Sequence, residues 1–179
     1  MKDGLFKTIL YTILGIGIMT ALMTLTSITT PIEGVYIQLA YGYLALFAGV
    51  AGAIPAAIVG FTGHVLFDLI YTDHLWLSWA LSTGALGFVF GFAIRRKSLR
   101  QGVFSQHDMI RFNVVQAVVN IAIFGLIAPT LDVLFYQSST AVVFTQGWIA
   151  SIINLLTVAI FGTITLKLYA NYKLKQNKQ

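Results

Sequence analysis

The feature that most limits this fold is a series of long apolar runs with almost no charge. The first, residues 8–28, contains no Asp, Glu, Lys or Arg. A helix needs about 20 such residues to cross the hydrocarbon core of a bilayer. Further runs follow at residues 36–71, 75–94, 110–128 and 146–168. The run at 36–71 is too long for one straight span, and Gly49, Gly52 and Pro55 punctuate it. It divides into spans at 36–50 and 53–71. The reading is therefore an all-α membrane protein of six transmembrane helices forming one domain over residues 1–179. Pro31 closes the first span and Pro129 the fifth, because the residue before proline is driven out of helical geometry. Residues 131–145 read as a semi-polar connection.

Composition agrees with this. Charged residues are 9% of the chain and hydrophobic ones 58%. A soluble domain carries about 25% charged residues. Lys2 and Lys7 precede the first run as in a signal peptide, yet the run is too long and no A-x-A site follows it. It is expected to stay as the first helix.

Charge sets the expected orientation. With six spans, all eleven Lys and Arg fall on one side: Lys2, Lys7, Arg95, Arg96, Lys97, Arg100, Arg111, Lys167, Lys173, Lys175 and Lys178. The other side carries Glu33, Asp73 and Asp132. Basic residues mark the cytoplasmic face, so both termini are expected in the cytoplasm of a bacterial plasma membrane. The net charge of +5 thus reports topology rather than nucleic-acid binding. With no cysteine, thiolate chemistry is excluded. No P-loop, G-x-S-x-G or H-E-x-x-H pattern is present, so an enzyme is not expected and any ATP hydrolysis belongs to partners.

Polar residues inside a span are costly and need a partner or a purpose. His64 and Asp68 are four apart and share a helix face. Trp76 and Trp79 follow at the same, outer end. Together they line a pocket open to the exterior, or else Asp68 only orients His64 and the tryptophans form an interfacial belt. Two such residues are too few for a metal site. Asn113, Gln116 and Asn120 lie on one face of the fifth span, and Gln146, Ser151 and Asn154 form a looser set on the sixth. Their amides suit either a neutral polar ligand or hydrogen bonds between helices. Asn120 and Asn154 lie deepest. Gly17 and Ala21 form a small-xxx-small pair on the first span that suits close contact with another span or another subunit, the internal contact being slightly favoured.

Residues 60–68 (GFTGHVLFD) and 76–84 (WLSWALSTG) resemble the span 3–4 signature of riboflavin-transporter-like S components of energy-coupling factor (ECF) importers. Residues 112–116 (FNVVQ), 127–132 (IAPTLD) and 144–147 (FTQG) resemble later motifs of one branch of that family. The resemblance covers nearly the whole chain. It implies a six-helix subunit, without a cofactor, that captures a vitamin or related micronutrient from outside. It also implies partnership with a T component and two ATPase subunits. His64, Asp68, Trp76, Trp79, Asn120 and Asn154 are the expected ligand contacts. The family docks on its T component through small residues of the first helix, which Gly17 and Ala21 match, with glycine where alanine is usual. Phe67 stands where relatives carry lysine, a change expected to alter the charge preference of the site.

Two rival readings use the same pair. His64 and Asp68 would be the proton relay of an autonomous secondary transporter. As an intramembrane acyltransferase site they fit poorly, since three residues separate them where that pattern has four.

Overall fold

The computed structural model describes residues 2–72 and 74–179, with side chains described from residue 5. Asp73, expected in the turn between two spans, lies outside the described residues, as does the side chain of Lys2.

The chain is almost wholly helical. Helix α1 runs Lys2–Leu25. Its last carbonyls are satisfied by the hydroxyls of Thr26 and Ser27, which bond Leu22 O and Met23 O at 2.6 Å each. A small antiparallel ribbon follows, pairing β1 (Ile28–Thr29) with β2 (Tyr36–Ile37). Then come α2 (Ala40–Ala51), α3 (Ala53–Thr72), α4 (Leu77–Ala93), the short α5 (Arg96–Arg100), α6 (Gln106–Tyr136) and α7 (Thr140–Gln176).

Among the described residues, four helices are long and apolar enough to cross a bilayer: α3, α6, α7 and residues 5–25 of α1. Their outward faces carry exposed Ile9, Leu14, Ile54, Val118, Ile160 and similar side chains. Bare apolar faces of this kind belong against lipid. The chain is therefore a helical membrane protein. Helices α2 and α4 are apolar but shorter, at 12 and 17 residues. At 1.5 Å per residue, α2 extends only about 18 Å. Its position explains how it manages. Ala40, Tyr41, Leu44, Ala45, Phe47 and Ala48 are all buried, so other helices rather than lipid surround it. Short or broken helices at membrane depth are tolerated where protein covers them.

The break between α2 and α3 falls on Gly52, at φ 103°. That conformation favours glycine, and a Cβ there would strike the guanidinium of Arg96. Arg96 and Arg100 both donate to Val50 O, at 3.1 and 3.0 Å, capping the end of α2. Nearby, Lys167 Nζ donates to Phe104 O at 3.1 Å. These contacts define a basic end of the bundle. The opposite end holds the ribbon, the α3–α4 turn and the α6–α7 turn.

Two elements differ from the sequence expectation. First, α6 starts at Gln106, where Ser105 and Asp108 form a reciprocal capping box. It does not stop at Pro129 but continues to Tyr136. The preceding residues Ile121–Ile127 are wound as a π-helix. The wider turn displaces the carbonyl that a proline ring would otherwise strike, so the helix passes Pro129. It ends instead at Gln137, which is left-handed at φ 53°. The expected connection at 131–145 is thus only residues 137–139.

Second, Gly17 faces away from the other described helices; a Cβ there would meet open space. The close contacts of α1 use its other face, where Gly15 lies against Phe47 and Val59, and Thr20 Oγ1 donates to Gly63 O at 3.3 Å. Gly17 and Ala21 point outward with Leu14 and Ile18.

Candidate functional site

A cavity of about 650 Å³ opens at the end opposite the basic cluster. Every major element sends residues to it. The ribbon loop supplies Glu33, Gly34, Val35 and Tyr36; α2 and its lead-in supply Gln38 and Tyr41. His64, Phe67, Asp68 and Tyr71 come from α3, Trp76 and Trp79 from the start of α4, Asp132 from the end of α6. The first turns of α7 contribute Val142, Val143, Gln146, Ala150 and Asn154.

The last turn of α3, Asp68–Thr72, is also wound as a π-helix. Phe67 and Tyr71 stack there at 5.1 Å between centroids and 20° between planes. Tyr36 sets its edge against both, at 6.0 and 5.8 Å. On the other side Trp79 stacks on Phe124 at 5.8 Å. Aromatic walls of this kind suit a flat ligand.

The polar groups have defined partners. Asp68 is 2% exposed, and its Oδ2 accepts the Trp76 backbone N–H at 2.9 Å. This bond ties the end of α3 to the start of α4. His64 Nδ1 lies 2.7 Å from Thr83 Oγ1, and that hydroxyl donates to Trp79 O at 3.0 Å. His64 Nε2 stands 3.6 Å from Asp68 Oδ1, beyond hydrogen-bond range. Asp132 accepts from Ser78 Oγ and, at 2.7 Å, from Trp79 Nε1. Gln38 Nε2 donates to Met23 O at 3.2 Å and Ser27 Oγ at 2.7 Å. Gln146 Nε2 donates to Glu33 O at 2.8 Å, holding the ribbon loop across the mouth.

His64, Asp68, Trp76, Trp79 and Asn154 thus border one cavity. Asn120 does not line it. Its amide nitrogen bonds Gln116 O and Oε1 at 2.9 and 3.0 Å, and its Oδ1 has no hydrogen-bond partner among the described residues. Asn113 and Gln116 cross instead to α7, donating to Thr163 Oγ1 at 2.9 Å and Leu155 O at 3.3 Å. The amide face of α6 serves contact between helices. Sequence reasoning missed Tyr36, Gln38, Tyr41 and Tyr71 as cavity residues. It used Asp132 only as a topology marker. An acid just beyond an apolar run was the available signal, but placing a helix end at Pro129 moved it into a loop.

These features define a class: a helical membrane protein with a ligand-sized cavity at one end of the bundle. Residues 5–171 match the family described as ECF-type riboflavin transporter, S component. The chain belongs to that family and so to the components of transporters, in which its part is not enzymatic. It is similar to UPF0397 proteins of Lactococcus lactis subsp. cremoris, at 41% identity over 98% of this chain and 96% of the relative. The UPF0397 protein of Enterococcus faecalis is 38% identical over 98% and 97%. That of Lactobacillus acidophilus is 41% identical over 91% and 88%. No solved structure matches the chain.

Proposed function

We propose that this protein is the substrate-capture subunit of an ATP-driven ECF-type importer for a vitamin or related micronutrient. The observation that carries the reading is the family match over residues 5–171 together with a cavity remote from the basic end. The cavity volume lies in the range of small-molecule sites, about 300–1,000 Å³. Riboflavin, in the family's description, has the size and flatness the aromatic walls would take.

In this reading all six apolar helices cross the membrane as one domain, with both termini in the cytoplasm. The absence of Lys and Arg from residues 8–94 and 112–166 supports that orientation, because the ribbon and the α3–α4 turn fall in the first interval and the α6–α7 turn in the second. Trp76, Trp79, His64, Asp68 and Asn154 contact the ligand, and Asn120 supports α6 from behind. The outward face of α1 around Gly17 and Ala21 docks on a T component, whose two ATPase partners supply the energy. Gly17 lets a partner helix approach closely there.

The chain has no cysteine, so single cysteines report accessibility directly. On intact cells an impermeant maleimide is expected to label Ser138→Cys and to leave Gln101→Cys unlabelled until the cells are opened. The reverse pattern inverts the topology. For the function itself, the protein is expected to co-purify with a T component and an ATPase pair, and vesicles holding the complex accumulate a vitamin only with ATP. Accumulation by the subunit alone under a pH gradient would favour a proton-coupled carrier instead.

A further inference from the structure

The polar edge of the cavity has an uneven supply of donors and acceptors. Thr83 Oγ1 has one proton and gives it to Trp79 O at 3.0 Å. With that bond kept, His64 Nδ1, which faces Thr83 Oγ1 at 2.7 Å, is the donor to it. A neutral imidazole with its proton on Nδ1 leaves Nε2 as an acceptor. That Nε2 stands 3.6 Å from Asp68 Oδ1, which is itself an acceptor. Two acceptors therefore converge on one wall of the cavity without a donor between them. Both side chains are deeply buried, 8% and 3% exposed. No described residue donates to either atom, and both residues line the cavity, so water or a ligand entering it supplies the donor.

The charge of the walls points the same way. Glu33, Asp68 and Asp132 line the cavity, and none of the described lining residues is Lys or Arg. The oxygens of Asp132 are already taken by Ser78 and Trp79, which leaves Asp68 Oδ1 in the buried wall and the carboxylate of the exposed Glu33. Much of the remaining lining is aromatic: Phe67, Tyr71, Trp76 and Trp79, with Phe67 stacked on Tyr71 and Trp79 on Phe124. Ring faces attract cations and repel anions.

Resting on the capture reading above, we propose that the cavity selects a nitrogen heteroaromatic ligand carrying an amino group or a protonated ring nitrogen. Its N–H groups bridge His64 Nε2 and Asp68 Oδ1 while its ring lies between the aromatic walls. Anionic ligands such as carboxylates and phosphate esters are rejected, because no cation in the described walls would balance them.

The test uses the purified full-length protein in detergent and three ring-matched probes: aminoquinoline, quinoline and quinoline carboxylate. Binding is read by isothermal titration. The amine is expected to bind at least about tenfold tighter than quinoline, and the carboxylate weakest, as a charge-assisted pair requires. Asp68→Asn keeps an oxygen for the Trp76 N–H and should fold. It is expected to remove the preference for the amine, so that the amine and quinoline bind within about threefold of each other. His64→Gln, the second variant, is expected to weaken the amine in the same direction. Equal binding of all three probes, or tightest binding of the carboxylate, overturns the proposal but leaves ligand capture standing. If none of the three binds while a small molecule co-purifies with the protein, only the proposal falls. If nothing co-purifies either, both fall.

Discussion

Gly91→Val is expected to lower the unfolding temperature of the purified protein by roughly 5–10 °C. The reason is the contact between α3 and α4, which meet backbone to backbone. A Cβ at Gly91 would strike the backbone of Ala53, where α3 begins. At Gly87 it would lie 2.5 Å from Ala56 O, and at Gly60 2.6 Å from Thr83 O. These atoms belong to helix backbones and cannot rotate away. Overpacking usually costs about 1–3 kcal/mol, and here the upper end is expected. The damage also reaches the cavity, since α3 carries His64 and Asp68 and α4 carries Trp76 and Trp79. Gly17→Val is the control, because its Cβ would meet open space. It is expected to leave the melting temperature of the isolated subunit unchanged and to weaken assembly with a T component. Equal melting of wild type and Gly91→Val would refute the packing described here.

Asp132→Ala is expected to combine a stability loss of about 3 kcal/mol with at least a tenfold loss of ligand affinity. Its two oxygens hold Ser78 Oγ, which is fully buried, and Trp79 Nε1. Removing the carboxylate leaves both donors without an acceptor. An unsatisfied buried donor costs about 1–3 kcal/mol, and the hydroxyl can recover part of that by rotating. The affinity loss comes through Trp79, whose indole is held against Phe124 by the bond to Asp132. Asp132 is thus a positioning residue. Asp132→Asn retains one acceptor oxygen and falls between alanine and wild type. A double-mutant cycle separates positioning from general damage. On a Trp79→Phe background, Asp132→Ala should cost much less affinity than it does alone. Full additivity of the two changes would remove this role.

The helices were legible because lipid imposes a simple rule: long uncharged runs become helices. The break at Gly52 was legible as well, because Gly49, Gly52 and Pro55 interrupt a run that one span could not hold. Pro129 misled because its usual effect assumes an α-helical turn ahead of it, and nothing local in residues 121–127 announces a π-helical one. Gly17 and Ala21 show a related limit. Small residues at four-residue spacing reveal a surface able to pack closely but not which neighbour packs there. On α1 the chain's own partners meet Gly15, two residues before Gly17 and on the buried face. The polar residues divide similarly. His64 and Asp68 announced themselves by four-residue spacing and border the cavity with both tryptophans. Asn120 looked equivalent, since both kinds of residue are costly in a span. Only its bonds to Gln116 distinguish it. Tyr36 and Gln38 gave no signal at all, because the ribbon that carries them over the mouth is fixed by contacts distant in sequence, such as Gln146 with Glu33.

Everything turns on the cavity being a seat for a small molecule. Native mass spectrometry of the protein, released from micelles after gentle purification from its own host, tests this most directly. The predicted spectrum holds a one-to-one adduct of a few hundred daltons that disappears in Ala150→Trp, where the new indole fills the space between α7 and the aromatic walls. A spectrum of bare protein alone, unchanged by that substitution and by added vitamins, would contradict the account.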